Sequence, residues 1–248
     1  MYTIAVMSGK GGVAKTTTAV AIAAGCAAAG LRTVLVDFDP SGSATRAAGI
    51  DPLALRPSAT VLGLLDDVPL TPAQAGEGFG VLSGAPKAEG LAAEIRAAVG
   101  RLAELRADLI VIDTPPGFGA LPQSAVKVAD AILTPIELEP MSVETLAAVD
   151  GLLGALGARS NWLGILPTKV SPRLALSQLQ LKTLEEYGVR VFDGIPRSVG
   201  VAEARLAARS ILSYAPKSAS AKAYKKLCDE LAALVRKDAS TSQAVARG

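Results

Sequence analysis

Apolar residues along this chain gather into short solid runs, and the stretches between them carry a helical period. The runs are Thr3–Met7, Thr33–Val36, the four apolar residues inside Asp108–Asp113, Ala131–Pro135 and Trp162–Leu166, with shorter ones at Phe79–Leu82 and Val189–Phe192. Solid runs rather than alternation predict strands buried on both faces, the habit of a parallel sheet. Between them, helices are expected at about Lys15–Ala29, stopped by Gly30, and at about Ser142–Leu156 and Leu174–Tyr187. Another is expected at about Ala88–Arg106, where Leu91, Ile95, Ala98, Leu102 and Leu105 fall on one face, and a short one near Thr60–Leu65. The last, about Ser218–Lys237, has Tyr224, Leu227, Leu231 and Leu234 on one stripe. Strand and helix alternate at short connection lengths. That pattern predicts an α/β fold, a parallel sheet flanked by helices on both faces, with ligands at the carboxyl ends of the strands.

Length and composition refine this picture. With 248 residues and 50% hydrophobic content, one sizeable domain is expected over residues 1–237, followed by a small, polar, disordered tail over 238–248. Aromatics are only 4%, so Val, Leu, Ile and Ala must build the core. There is no histidine, which leaves carboxylates, lysines and a bound metal to carry any chemistry. Cys26 and Cys228 lie far apart, with no metal-site spacing and no secretory leader before them, and read as small buried hydrophobes in a reducing compartment. No apolar run reaches membrane-spanning length. A cytoplasmic protein with no membrane contact is expected.

The candidate chemistry starts directly after the first run. Gly9-Lys10-Gly11-Gly12-Val13-Ala14-Lys15-Thr16-Thr17 links a strand to a helix. Three glycines let successive backbone N–H groups converge, and the following helix adds its unpaired N–H groups and positive dipole end. Lys15 is placed for the β and γ phosphates, and Thr16 for a bridging Mg²⁺. The general phosphate-loop pattern has glycine where this chain has Ala14. Alanine disfavours positive φ, so the loop closes normally only if position 14 already lies in the helical region as the first helix begins. Two further strands end in carboxylates, at Asp37-Phe38-Asp39-Pro40 and at Asp113-Thr114-Pro115-Pro116-Gly117, where open α/β folds place catalytic groups. Asp113 can hold a Mg²⁺-bound water, and the Pro-Pro-Gly turn is placed to feel a γ-phosphate. Pro167-Thr168-Lys169 follows a strand where guanine-reading proteins carry Asn-Lys-x-Asp. The missing Asp argues against guanine.

These motifs resemble the ParA/MinD family of P-loop ATPases, and in particular its small Soj-like partition members. The resemblance rests on the extra Lys10 in the loop, on Asp37–Thr45 (DFDPSGSAT beside the family's D-x-D-P-Q-G-N-A-T) and on the Asp-x-Pro-Pro-Gly wording after the third strand. It covers Met1 to about Lys237 and implies ATP and Mg²⁺ as cofactors. Lys10 would reach the nucleotide of a second subunit, Lys15 its own phosphates, and Asp39 the attacking water, with Asp37 near the metal. It also implies that Thr168 and Pro196 touch adenine. Ser41 and Ser43 stand where the family has Gln and Asn.

Charge separates the possible functions. Residues 1–158 hold 10 basic and 16 acidic side chains and residues 159–237 hold 14 and 6, so a net −6 body carries a net +8 region. That asymmetry points to a polyanion surface. Taken with that charge, the family resemblance implies an ATP-driven homodimer, nucleoid-associated, that binds DNA nonspecifically through Lys217, Lys222 and Lys226 and drives plasmid or chromosome partition. Hydrolysis would be stimulated by a ParB-type centromere-binding protein. No helix-turn-helix precedes the loop, so operator recognition is not expected. The alternative is a positioning ATPase for a protein cargo, with the same nucleotide cycle. A metallocluster reductase on this fold would need cysteine near Thr114–Gln123, which has none.

Overall fold

The computed structural model describes residues 1–139, 142–171, 184 and 187–245. Among the described residues seven strands form one sheet: β1 (Tyr2–Val6), β2 (Thr33–Asp37), β3 (Ala73–Gln74), β4 (Gly80–Leu82), β5 (Leu109–Asp113), β6 (Ala131–Glu137) and β7 (Trp162–Thr168). The strand order is β3-β4-β2-β5-β1-β6-β7, and every pairing is parallel except that of β3 with β4. β1 is central. Its register sets Val6 beside Asp113 of β5, and β2 sets Asp37 beside Asp113, so two carboxylates end adjacent strands next to the loop that leaves β1.

The solid apolar runs are buried on both faces, as expected of a covered parallel sheet. Ile4, Val6, Leu35, Leu109, Val111 and Leu133 face one core. Ala5, Met7, Val36, Ile110, Ile112 and Ile132 face the other, because successive side chains of a strand point to opposite sides. The first core is covered by α1 (Lys15–Ala28), α2 (Ser43–Ala47), α6 (Val199–Leu206), α7 (Ile211–Tyr214) and α8 (Ala219–Val245). The second is covered by α3 (Ala92–Ala98), α4 (Ala120–Val128) and α5 (Ser142–Ala155).

Several elements differ from expectation for identifiable reasons. The long helix expected at 88–106 is α3 followed by a 3₁₀ stretch over Val99–Leu105. Gly100 lies inside that stretch, and glycine in a helix interior costs about 1 kcal/mol relative to alanine. No helix was expected between Gly117 and Asp130, yet α4 forms there. Its Pro122 stands in the first turn, where a missing N–H loses no intrahelical bond. The run Val189–Phe192 makes one bridge, Ile165 with Val191, rather than a strand. The helix expected at about 174–187 falls largely outside the described residues. α8 continues to Val245, past the expected end at Lys237.

α1 and α8 pack closely because one side of the contact is nearly bare. A Cβ at Gly25 would lie 2.4 Å from Cys228 Sγ. Nearby, Thr18 Oγ1 and Tyr224 Oη share a buried hydrogen bond of 3.0 Å. Cys26 and Cys228 are both free and buried, and burial pushes the Cys26 thiol up to about 12. Neither thiol is poised to react.

Candidate nucleotide site

The loop between β1 and α1 is shaped by two left-handed residues, Gly12 (φ 77°) and Ala14 (φ 67°, ψ 26°). Ala14 therefore does not take the helical conformation its side chain favours. It is the N-cap of α1, and its carbonyl accepts the Thr18 amide at 2.9 Å. For an alanine that left-handed conformation costs about 1–2 kcal/mol. Among the described residues no side chain caps α1. Its first N–H groups are thus left to a ligand, in a position that suits an anion.

Each side chain on the loop has a defined partner. Lys15 is buried, and its ammonium donates to the Lys10 carbonyl at 2.8 Å. Burial lowers its pKa, with the charges of Asp113 and Asp39 partly opposing the shift. Lys10 pairs with Glu139, just past β6. Thr16 Oγ1 donates to Asp113 Oδ2 at 2.8 Å. Asp113 is fully buried, and among the described residues its Oδ1 has no hydrogen-bond partner. Burial and then the charge of Asp37 push its pKa well above the usual carboxylate range, against the Thr16 hydrogen bond and the Lys15 charge. A buried carboxylate oxygen without a partner, beside a hydroxyl at the mouth of a phosphate cradle, fits a hard divalent cation.

Asp37 and Asp39 separate into different roles. Asp37 is buried and accepts the Thr45 amide (2.9 Å), the Thr45 hydroxyl (2.8 Å) and the Asp39 amide (3.0 Å). Burial raises its pKa to about 6 against those donors. It ties β2 to α2. Asp39 is half-buried on the cleft wall, where its Oδ1 accepts the Ser41 amide at 2.9 Å. The second strand-end loop is braced on the first: Gly117 N donates to Gly9 O at 3.0 Å and Thr114 Oγ1 to Val6 O at 3.0 Å. A Cβ at Gly9 would come within 2.3 Å of the Phe118 ring.

A cleft of about 1210 Å³ opens over this loop. Gly11, Gly12, Ala14, Lys15, Thr16 and Thr17 line its floor, Asp39 stands on its near wall, and Thr168 and Pro196 line its far wall. The Thr168 hydroxyl is committed to the Val13 and Ile136 carbonyls at 3.2 and 3.1 Å, so it fastens β7 to the loop. Asp37 and Asp113 sit behind the floor rather than on it. Among the described residues no group of three or more histidine, cysteine or carboxylate side chains could hold a metal by itself.

Two residues on the cleft wall carry no sequence motif. Arg46, in α2, donates to the Ser41 carbonyl, and Arg205, in α6, lies 3.5 Å from Ser43 Oγ. Only the basic excess of residues 159–237 marked Arg205, and nothing marked Arg46. Of the lysines expected to meet DNA, Lys217, Lys222 and Lys226 are all exposed, and Lys226 pairs with Asp193.

A glycine-rich loop between the central strand and an uncapped helix, backed by strand-end carboxylates, defines a P-loop nucleotide-binding fold. The chain matches the family described as "CobQ/CobB/MinD/ParA nucleotide binding domain" over residues 4–211. It belongs to that family. It is 34% identical over 244 residues to the chromosome-partitioning ATPase Soj of Thermus thermophilus, covering 94% of this chain and 96% of that one. It is 30% identical to the chromosome partitioning protein ParA of Caulobacter vibrioides, covering 92% of both. Among solved structures, cobyrinic acid a,c-diamide synthase from Mycobacterium smegmatis with bound ADP and magnesium superposes with a TM-score of 0.77. The two are 28% identical, over 93% of this chain and 94% of that one.

Proposed function

We propose that this chain is a ParA-type ATPase that binds ATP with Mg²⁺, dimerises on doing so, and holds DNA without sequence preference until hydrolysis releases it. The observation that carries the nucleotide reading is the Thr16–Asp113 hydrogen bond, which leaves Asp113 Oδ1 unpartnered behind an anion cradle. Gly9 through Thr17 enclose the phosphates, and Thr168 and Pro196 border the base. Thr16 and Asp113 would hold Mg²⁺, with Asp37 fixing the strand end beside them, and the ion would supply charge neutralisation for the bound phosphates.

Each catalytic group has one task. Lys15 leaves the Lys10 carbonyl for the phosphates. Asp39, on the cleft wall, orients the attacking water. Lys10 leaves Glu139 and reaches the nucleotide of the second subunit. Identity to Soj and ParA over most of the chain supports partition as the process, with a ParB-type protein as the stimulating partner on the nucleoid. A protein cargo in place of DNA would use the same cycle. Among the described residues no helix is long and apolar enough to cross a membrane.

DNA contact is assigned to Lys217, Lys222 and Lys226, which would meet phosphates rather than bases, so binding should fall steeply with salt. The test compares duplex retention by the ATP-bound parent with that of a variant carrying Lys217→Glu, Lys222→Glu and Lys226→Glu. The expected outcome is loss of retention with ATP-dependent dimerisation intact. Equal retention by both proteins, or none by the parent at low salt, would turn the assignment toward a protein cargo.

A further inference from the structure

The cleft is larger than the phosphate loop alone requires. About 1210 Å³ exceeds the usual 300–1,000 Å³ of a small-ligand pocket, and Arg46 of α2 and Arg205 of α6 stand on its wall. Both arginines act on the loop that carries Asp39. The hydroxyls of Ser41 and Ser43 share a hydrogen bond of 2.8 Å. Arg46 grips the Ser41 carbonyl, and the Arg205 guanidinium reaches Ser43 Oγ at 3.5 Å. Arg205 also lines a narrow crevice against Thr16, Thr17 and Val20 of the first turns of α1. Its stem therefore lies beside the start of the helix that cradles phosphate, while its charged end faces the Asp39 loop.

Charge completes the argument. Among the described residues neither Arg46 nor Arg205 has a carboxylate ion-pair partner, whereas Lys10, Lys169 and Arg197 on the same side of the sheet pair with Glu139 or Glu137. Arg46 is held by its carbonyl contact. Among the described residues Arg205 has only a long contact to a neutral hydroxyl, so its planar donors are available to an anion with several oxygens. Under the nucleotide reading, the anion that would lie between the Asp39 loop and the first turn of α1 is the last phosphate of a nucleoside triphosphate.

We propose that Arg205 is a terminal-phosphate ligand supplied by α6 within the same subunit, so that the cleft distinguishes a nucleoside triphosphate from a diphosphate through α6 as well as through the phosphate loop. The proposal rests on the nucleotide reading above. It makes α6 a reporter of the γ-phosphate, joined through Ser43 to the Asp39 loop.

The test is calorimetric titration of the full chain with Mg²⁺ and either a non-hydrolysable ATP analogue or ADP, using the parent, Arg205→Ala and Arg205→Lys. Charge-assisted hydrogen bonds are strong enough that Arg205→Ala should weaken analogue binding roughly 10- to 100-fold. ADP affinity should stay within about twofold of the parent, because a diphosphate lacks the oxygens Arg205 meets. Arg205→Lys should recover part of the analogue affinity, which a purely structural role would not require. Equal weakening of both ligands, or no change in either, would overturn the assignment, as would a variant that loses only DNA retention. A parent that bound neither nucleotide would instead overturn the nucleotide reading itself.

Discussion

Ala14 shows how one residue fixes the shape of the loop against its own preference. Glycine would adopt φ 67° without a steric penalty, so Ala14→Gly removes strain from the folded state while loosening the unfolded chain. The balance should stabilise the unliganded protein by about 0.5–1 kcal/mol, read as a higher midpoint in urea with an unchanged slope. A loss of stability would mean that the alanine methyl contributes packing that outweighs its backbone strain. Lys10 and Lys15 form a second pair of opposed cases five positions apart. Lys15→Ala removes the buried ammonium beside Asp113 and should abolish nucleotide binding. Lys10→Ala breaks an exposed ion pair worth little to stability and should spare most of the binding while blocking ATP-dependent dimerisation. Normal dimerisation of that variant, followed by light scattering, would remove Lys10 from the partner's site. Asp39→Ala should keep ATP and Mg²⁺ bound yet slow turnover about 10²- to 10⁴-fold. Turnover at the parent rate would transfer the role to another group.

At the scale of elements, the contact between α1 and α8 depends on Gly25. An added methyl would meet Cys228 Sγ at 2.4 Å, Cys228 Cβ at 2.7 Å and Leu212 Cδ1 at 3.0 Å, so the helices must part. Gly25→Ala should destabilise by about 1–3 kcal/mol and lower the thermal midpoint, and an unchanged midpoint would show that the helices slide freely. The strands, by contrast, were legible in the sequence because burial on both faces leaves a solid apolar run, as in Leu109–Asp113. The phosphate loop and its carboxylates were legible because each sits where such a strand ends. α4 was not, since Pro122 in its first turn resembles a breaker until the first residue of the helix is known. The conformation of Ala14 was not either, because the demand for a left-handed turn comes from how β1 delivers the loop to α1. Arg46 and Arg205 belong to no local pattern: α2 and α6 are brought together only by the folded first core.

Over the whole molecule, the basic region found by counting charges is partly neutralised in place. Arg190 pairs with Glu230, Lys225 with Asp229 and Lys226 with Asp193. Among the described residues Lys217 and Lys222 have no ion-pair partner, so any polyanion contact leans on them and gains from doubling in a dimer. In the proposed cycle dimerisation would join the nucleotide site to the proposed DNA surface, and it is the central claim. Sedimentation velocity of the purified chain, with no nucleotide, with ADP and Mg²⁺, and with ATP and Mg²⁺, tests it most directly. The account predicts a shift to the mass of two chains with ATP and Mg²⁺ alone, enhanced in Asp39→Ala and absent in Lys10→Ala. A single-chain mass at saturating ATP, or the same mass in all three conditions, would contradict it.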